Sequence, residues 1–322
     1  MIEKLCRIGS WLKTKLVKPV HLVALATGVS TWLARRRPQR RILMLHNIEH
    51  RELPPEVFER QMLWLKRHFT IVSLPTMVER LERGLPPLAG GELALTFDDG
   101  LRNHEEHAYR VLLKHRIPAT FFVCPGLVDS RSWLWNQETR MRLRTLPPAQ
   151  RRRLGAGIGM PDADIETTIA WMKTLGLQQR RSVEDAIRTA TRDFTLSPEL
   201  QAVYEPLTWD GIRTMDPELI TIGSHSLTHP ILPTLDDEQL AYEIVHSRQL
   251  LEQRLHRPID LFCYPNGSND QRARDLVARH YRAAVTADHG FVQADTPLEA
   301  LPRIPSAVRT ALLAWRLHRP SA

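Results

Sequence analysis

The sequence of 322 residues is poor in cysteine. Cys6, Cys124 and Cys263 are far apart, and none of them belongs to a Cys-x-x-Cys pair. This spacing argues against a disulfide-stabilised scaffold and against a zinc site built from thiolates. The sparse cysteines are most compatible with a reducing compartment.

Long hydrophobic runs are also lacking. The longest candidate, residues 20–34, contains polar residues and is about 15 residues long, whereas a membrane-spanning helix needs roughly 20 apolar residues. Basic residues precede this run, as in a signal peptide, but no small-x-small cleavage site follows before the arginines. The sequence favours a cytoplasmic protein over a secreted one, with peripheral attachment to the inner membrane face as an open alternative.

Residues 1–41 form a basic and apolar amino-terminal tail. Lysines alternate with apolar side chains, and the segment closes with the arginines Arg35, Arg36, Arg37, Arg40 and Arg41. Two interpretations stay open. The tail could be a helix whose basic side contacts anionic membrane headgroups. It could equally be a helix packed on the folded domain, with its Lys and Arg side chains in solvent.

The overall composition is that of an ordinary globular protein, with 43% hydrophobic and 25% charged residues. The 44 Lys and Arg exceed the 36 Asp and Glu by eight, which permits an anionic partner such as a glycan or a phospholipid surface. No nucleic-acid-binding module or aromatic stacking motif accompanies the arginine runs, so we expect no nucleic-acid partner.

From Ile42 onward, short apolar runs alternate with amphipathic helical segments, which is typical of repeated βα units. We predict strands at residues 42–45, 93–97, 119–123, 220–223, 261–264 and 283–286. The clearest helix covers residues 237–255 and is capped by Asp236. Residues 129–208 contain no convincing strand and are predicted to form a helical insertion. The main domain would span residues 42–310, and residues 311–322 would form a carboxyl-terminal tail.

Polar side chains follow these strands at the points where the strands end. His46 follows the first, Asp98 and Asp99 follow the second, and His225 and His229 follow the fourth. Because the carboxyl ends of parallel barrel strands share one rim, these groups can meet despite their separation in sequence. Two imidazoles and a carboxylate leave one position open on a divalent ion such as zinc, which is the catalytic arrangement. The sequence therefore predicts a metal site at this rim.

The adjacent carboxylates can have different tasks. In an extended strand end, Asp98 and Asp99 point to different sides, so one can bind metal while the other accepts a proton from water. His104 and His107 superficially resemble a metalloprotease helix, but the required His-Glu-x-x-His spacing is absent. We interpret them as the polar face of the helix after Gly100.

Three segments carry a family resemblance: Thr96-Phe97-Asp98-Asp99-Gly100, Ile117-Pro118-Ala119-Thr120-Phe121-Phe122-Val123 and Gly223-Ser224-His225-Ser226-Leu227-Thr228-His229. They resemble the polysaccharide deacetylases of carbohydrate esterase family 4. The flanking segments are similar to the branch found among bacterial glycan-biosynthesis proteins, and the match covers about residues 42–305. The resemblance implies an α/β fold, a distorted (β/α) barrel. It also implies removal of N-acetyl or related N-acyl groups from amino sugars of a polysaccharide or lipid-linked glycan.

Carried over residue by residue, the resemblance implies that Asp98 is the catalytic base and that Asp99, His225 and His229 hold the metal. Zinc is the expected ion, with cobalt and nickel as alternatives. Substrate and oxyanion contacts are expected from the segment Tyr264, Pro265 and Asn266, with a backbone N–H near Asn266 as the oxyanion donor.

Three departures from the family pattern bear on activity. Cys263 and Asn266 stand where many members have Arg and Tyr, and the late Leu-x-His motif that supplies the general acid has no counterpart. Arg303 could replace the missing Arg. His46 is our candidate acid and His289 a second one, although His46 could instead be a rim residue that contacts substrate. The alternative hypothesis is a catalytically impaired, carbohydrate-binding homologue.

Overall fold

The centre of the molecule is a closed barrel of parallel strands. The computed structural model describes residues 19–36, 38–49, 53–161 and 164–319. Within these ranges the strands are β1 Arg40–Leu45, β2 Thr70–Ile71, β3 Glu92–Phe97, β4 Ala119–Val123, β5 Ile220–Ser224, β6 Leu261–Cys263, β7 Ala283–His289 and β8 Leu301–Pro305. Their order is β1-β8-β7-β6-β5-β4-β3, and a β1–β3 pairing closes the ring, with β2 beside β3. The predicted (β/α) barrel is confirmed.

The strands read as continuous apolar runs because both of their faces are covered. Every residue of β3 and of β4 is buried, as expected where the barrel interior lies on one side and helices lie on the other. Each predicted strand is present, but β1 begins two residues earlier, at Arg40, and β7 continues to His289. β2 and β8 were not predicted. The short length of β2 and the two prolines of β8 hide the usual strand pattern.

Helices cover the outside of the barrel. The α-helices are α1 Val29–Arg36, α2 Pro55–His68, α3 Leu74–Glu82, α4 Arg110–His115, α5 Pro125–Ser130, α6 Trp135–Thr145, α7 Pro148–Ile158, α8 Ile165–Met172, α9 Leu177–Ala190, α10 Pro198–Tyr204, α11 Trp209–Thr214, α12 Asp237–Ala241, α13 Ser247–Leu255, α14 Gln271–His280 and α15 Thr310–Arg316. Residues 19–26 are also helical. Turns of π-helix occur at His104–Tyr109 and Tyr242–His246, and 3₁₀ turns at Leu232–Thr234, Pro265–Gly267 and Leu298–Ala300.

The predicted helix over residues 237–255 is confirmed. The side chain of Asp236 accepts from the backbone N–H of Gln239, and the Gln239 side chain completes the capping box. The helix continues through a π turn between α12 and α13. Leu240, Ile244 and Leu251 are buried along its inner face, which is the apolar stripe that the sequence indicates.

The chain between β4 and β5 folds into helices α5 to α11. These helices bury their own apolar cluster, which includes Trp135, Leu143, Met172 and Ile187. Several of its arginines form ion pairs within the segment: Arg140 with Glu166, Arg142 and Arg188 with Glu138, and Arg180 with Glu184. The segment places the amino-terminal end of α6 over the rim of the barrel.

Both predicted tails need correction. Arg40 and Arg41 are buried in β1, where Arg40 pairs with Glu92 and Arg41 donates to the carbonyls of Ala34 and Leu317. The barrel therefore begins at residue 40, and these two arginines cannot face solvent or headgroups. At the other end, Leu313 and Leu317, within and just after α15, belong to the main core, so α15 is part of the domain because it covers the barrel. Residues 1–18 of the predicted tail lie outside the described residues. Among the described residues, no helix has the length and apolar character needed to cross a membrane.

Candidate active site

The predicted chemical groups converge at the carboxyl end of the barrel. A cavity of about 220 Å³ opens there. Its lining combines groups from the strand ends with groups from α6: Met44, His46, Asp98, Asp99, Leu134, Asn136, Gln137, His225, His229, Asn266, Gly267, Ala287 and Arg303. A second cavity of about 360 Å³ shares His46, Asp99 and Gln137 with the first, and continues to Ser306, Ala307 and Val308 after β8. The rim therefore has room for more than a single acyl group.

Asp99, His225 and His229 form one compact cluster. Oδ1 of Asp99 lies 3.5 Å from Nε2 of His225 and 3.4 Å from Nε2 of His229. Asp99 and His229 both have positive φ, 77° and 60°, a region that side chains other than glycine rarely adopt and that marks functional sites. The two neighbouring carboxylates have different partners, but Asp99 lies after β3 in a left-handed conformation and not in the extended strand end on which the sequence-based expectation rests.

The histidine cluster is held by a second set of contacts. Nδ1 of His225 lies 2.7 Å from the carbonyl oxygen of Cys263, and because a carbonyl only accepts, Nδ1 carries the proton and Nε2 is left for a metal. The buried carboxylate of Glu243 accepts from the backbone N–H groups of Leu227 and Thr228, both at 2.9 Å. Nε1 of Trp135 donates to the carbonyl of His229 at 3.1 Å.

The donor atoms of this cluster suit a divalent cation. One ligand atom from each of Asp99, His225 and His229 lies within 4.8 Å of the others. Although burial alone would raise it, the pKa of Asp99 is held below its usual range, chiefly by the hydrogen bond from His225. Burial and the neighbouring His225 lower the pKa of His229 to about 3. An ionised carboxylate and neutral imidazoles are the forms that coordinate a metal. Burial would lower the pKa of His225, but its contacts with Cys263 and Asp99 outweigh burial and raise that pKa, so an ion bound at this cluster would displace the proton on Nε2 of His225.

Asp98 faces a different partner. Its two carboxylate oxygens accept from the guanidinium of Arg303, at 2.6 Å from Nη1 and 2.7 Å from Nη2. Nε of Arg303 donates to the carbonyl of Thr286, and Nη2 also lies 3.3 Å from Sγ of Cys263. Burial would raise the pKa of Asp98, but the charge and hydrogen bonds of Arg303 outweigh it and lower that pKa to about 2. Arg303 thus contacts the carboxylate of Asp98, in the role that the sequence suggests for it as a substitute for the missing family arginine.

The candidate general acids differ in position. Nε2 of His46 lies 3.8 Å from Oδ2 of Asp98, and its side chain is 46% exposed. His46 also lines both cavities, so it is a candidate for either proton donation or substrate contact. His289 is exposed at the end of β7 and does not line either cavity.

His104 is not on a polar face, which corrects the interpretation from sequence. It is fully buried, between Phe97 and Phe121, and its Nε2 lies 2.8 Å from the carbonyl of His46. Burial lowers the pKa of His104 to about 4. The π turn that begins here shifts the helix face by comparison with a regular α-helix, and sequence periodicity does not reveal that shift.

The segment after β6 divides into buried and accessible residues. Tyr264 and Pro265 are buried, and the hydroxyl of Tyr264 donates to the carbonyl of Glu299. Neither residue lines the cavities. Asn266, with φ at 55°, does line the smaller cavity, and its Oδ1 accepts from Nζ of Lys173 in the insertion at 2.8 Å.

Several residues that shape the site were not predicted. Glu243 and Trp135 hold the loop that carries the histidines, and Gln137 borders both cavities, with its Oε1 accepting from Nη1 of Arg140 at 3.0 Å. A carboxylate on the inner side of a helix is a usable signal for Glu243, since such groups are rarely buried without partners. No local pattern distinguishes Gln137 from other glutamines.

Comparison with known proteins gives a consistent set of relatives. The model of a family described as Polysaccharide deacetylase matches residues 87–285. The Bacillus subtilis protein named "Putative polysaccharide deacetylase YxkH" is 20% identical over 292 residues, covering 89% of this chain and 78% of that protein.

Solved structures share the fold. The Streptococcus pyogenes deacetylase PplD, in complex with acetate, superposes with a TM-score of 0.61 at 18% identity, covering 89% of this chain and 100% of that one. IcaB from Ammonifex degensii superposes with a TM-score of 0.58 at 16% identity, covering 87% of this chain and 98% of that one.

Proposed function

This chain belongs to the polysaccharide deacetylase family of carbon–nitrogen hydrolases, and we propose that it is a metal-dependent N-deacetylase of an amino-sugar glycan. One observation carries the proposal. Two adjacent carboxylates share a cavity but have separate partners: Asp98 is bound by Arg303, and Asp99 lies against His225 and His229. Asp99 can then serve as an ionised metal ligand while Asp98, in the same cavity, serves as a base.

Asp99, His225 and His229 would hold the metal. Zinc suits a site of two imidazoles and one carboxylate with an open position, and cobalt or nickel could replace it. When bound, the ion would make a water molecule more acidic and polarise the amide carbonyl.

The protein's own residues would then move the protons. Asp98 accepts a proton from water at a carboxylate oxygen, while the fork of Arg303 keeps that carboxylate in one orientation. A C–O bond forms, the amide C–N bond breaks, and the leaving nitrogen takes a proton to give the free amino sugar and acetate. His46 is placed to donate that proton or to contact the sugar. A backbone N–H near Asn266 would bind the oxyanion.

The substrate that we propose is an N-acetylated amino sugar in a polysaccharide or a lipid-linked saccharide, met in the cytoplasm. The solved PplD complex contains acetate, the product expected here. The adjoining cavity lined by Ser306, Ala307 and Val308 provides space beside the reacting group, which favours a glycan over a single small amide. We expect no nucleic-acid partner.

A catalytically impaired, carbohydrate-binding homologue is the alternative. It is motivated by the absence of the family arginine at Cys263 and of the late histidine. The contact of Arg303 with both oxygens of Asp98 weakens this alternative, because the base has an arginine partner from β8.

The test combines metal content with acetate release. The purified protein should bind about one equivalent of zinc, and Asp99→Ala and His229→Ala should each abolish that binding. Asp98→Asn should keep the metal and lose acetate release from acetylated amino-sugar oligomers by at least about a hundredfold. Asp210→Ala is the matched control, because Asp210 is 94% exposed and pairs only with Arg213 within the described residues.

Two outcomes would contradict the proposal. Full turnover in Asp98→Asn would exclude Asp98 as the base. A parent protein that binds metal and oligosaccharide but releases no acetate from any acetylated amino sugar would favour the carbohydrate-binding alternative.

A further inference from the structure

The amino-terminal hairpin, defined here as the helix over residues 19–26 and α1, packs on the barrel by one face. The ring of His21 lies 4.9 Å from that of Trp315 in α15, and Ser30 and Ala34 are buried. Nη2 of the buried Arg41 donates to the carbonyl of Ala34 at 2.7 Å. These contacts tie the hairpin to the start of β1 and to α15.

The outer face of the hairpin is apolar and exposed. Ten large hydrophobic side chains are exposed in the part of the chain that the structure describes, and six of them lie on this short segment. They form what we call the apolar face: Val20, Leu22, Val23, Val29, Trp32 and Leu33. Such a concentration within fourteen residues differs from the scattered single exposures that are normal on a protein surface.

Positive charge adjoins this face at the end of α1. Arg35 and Arg36 are exposed at the end of α1, and the guanidinium of Arg36 lies 4.8 Å from the ring centroid of Trp32. The first 48 residues contain one acidic residue, Glu3, against ten Lys and Arg. Two of the ten, Arg40 and Arg41, are buried, and Arg35 and Arg36 are the exposed arginines of this region within the described residues.

We propose that the apolar face binds an anionic lipid membrane surface. Exposed apolar side chains that include a tryptophan, with arginines beside them, match the boundary between acyl chains and anionic headgroups. Cations of one sign beside an apolar patch would repel a second copy of the same patch, so charge complementarity favours the lipid surface over self-association.

The position of the hairpin sets the orientation of the bound enzyme. A cavity of about 710 Å³ lies between α1 and the end of α2, and Gly90, just before β3, also lines it. The hairpin is therefore at the amino-terminal end of the strands, whereas Asp98 and His46 follow their carboxyl ends. Strands of six residues separate the two ends by roughly 15–20 Å.

This orientation deepens the proposed function, on which it rests. The catalytic rim would face away from the lipid surface to which the hairpin binds. A sugar attached directly to a lipid headgroup would not reach the rim. The geometry instead favours a glycan whose acetylated residue lies several sugars away from the bilayer.

The experiment measures sedimentation of the full chain with vesicles. We expect binding to vesicles of phosphatidylcholine mixed with phosphatidylglycerol, weak binding to phosphatidylcholine alone, and loss of binding as salt rises. Leu33→Asp should weaken binding at least about tenfold, and Arg36→Gln about fivefold. Leu113→Asp is the matched control, because Leu113 is exposed to 40% and Leu33 to 39%, and it should bind like the parent.

Amide hydrogen exchange on the same vesicles tests the orientation without any need for activity. Protection should increase across the hairpin and stay unchanged at residues 134–137 and 306–308 of the rim. Protection at the rim would overturn the orientation. No sedimentation of the parent would mean that the apolar face does not bind this lipid surface, and equal effects of Leu33→Asp and Leu113→Asp would mean non-specific adsorption. Either result would refute the membrane proposal without affecting the deacetylase assignment.

Discussion

Replacing Arg303 should lower the free energy of unfolding strongly while leaving metal binding intact. Its guanidinium is fully buried and donates to both oxygens of Asp98, to Thr286, to Thr96 and to Cys263. Arg303→Met leaves a buried carboxylate without a counterion, which costs about 3–5 kcal/mol. That loss is a large part of the free energy of unfolding of a typical domain.

The design includes its own control and a double variant. Arg282 binds Glu82 with a similar fork, but its side chain is 37% exposed, so Arg282→Met should cost less than about 1 kcal/mol. Asp98→Asn combined with Arg303→Met removes the uncompensated charge, and it should be at least about 2 kcal/mol more stable than Arg303→Met alone.

Urea unfolding is the assay, because guanidinium chloride would screen the charges that are being measured. Zinc content should be retained in Arg303→Met, since Arg303 does not contact Asp99 or the histidines within the described structure. Acetate release should fall strongly, because the base loses its orientation. A destabilisation below about 1 kcal/mol, or strict additivity in the double variant, would refute the reasoning.

Three further outcomes are expected. The pKa of His104 is lowered from 6.5 to about 4, so the unfolded chain binds more protons between these values and stability falls as pH drops through that window, by about 2 kcal/mol at pH 5. In His104→Phe, the difference between the free energies of unfolding in urea at pH 7 and at pH 5 should be smaller by that amount. An unchanged difference would contradict the prediction. Cys263→Arg should partly restore acetate release in the Arg303→Met background, because Cys263 lies 3.3 Å from the guanidinium that the new arginine would replace. Cys263→Ala in the same background is the control and should restore nothing. If Cys263→Arg restores no more activity than Cys263→Ala, an arginine at position 263 does not take over the role of Arg303. Gln137→Ala should raise KM about tenfold for an acetylated oligomer and leave it unchanged for a monosaccharide, since Gln137 joins the two cavities; Gln150→Ala in α7 is the control.

Local signals in the sequence determined the positions of six of the eight strands and the four residues that follow two of them. The runs before Asp98 and before His225 are apolar for the length of a strand and then turn abruptly to carboxylate and imidazole. Parallel strands in a barrel place such ends on one rim, whichever helices intervene. For this reason the sequence alone groups Asp98, Asp99, His225 and His229.

Tertiary structure alone decided which side chains surround that group. Arg303 meets Asp98 across 205 residues, and that contact depends on β8, a strand that its prolines conceal. Tyr264 belongs to the main core, and His104 is enclosed by two phenylalanines. A π turn begins at His104 and shifts the helix face there. Sequence periodicity specifies a face of a strand or a helix. Only the packing of the elements specifies what that face touches.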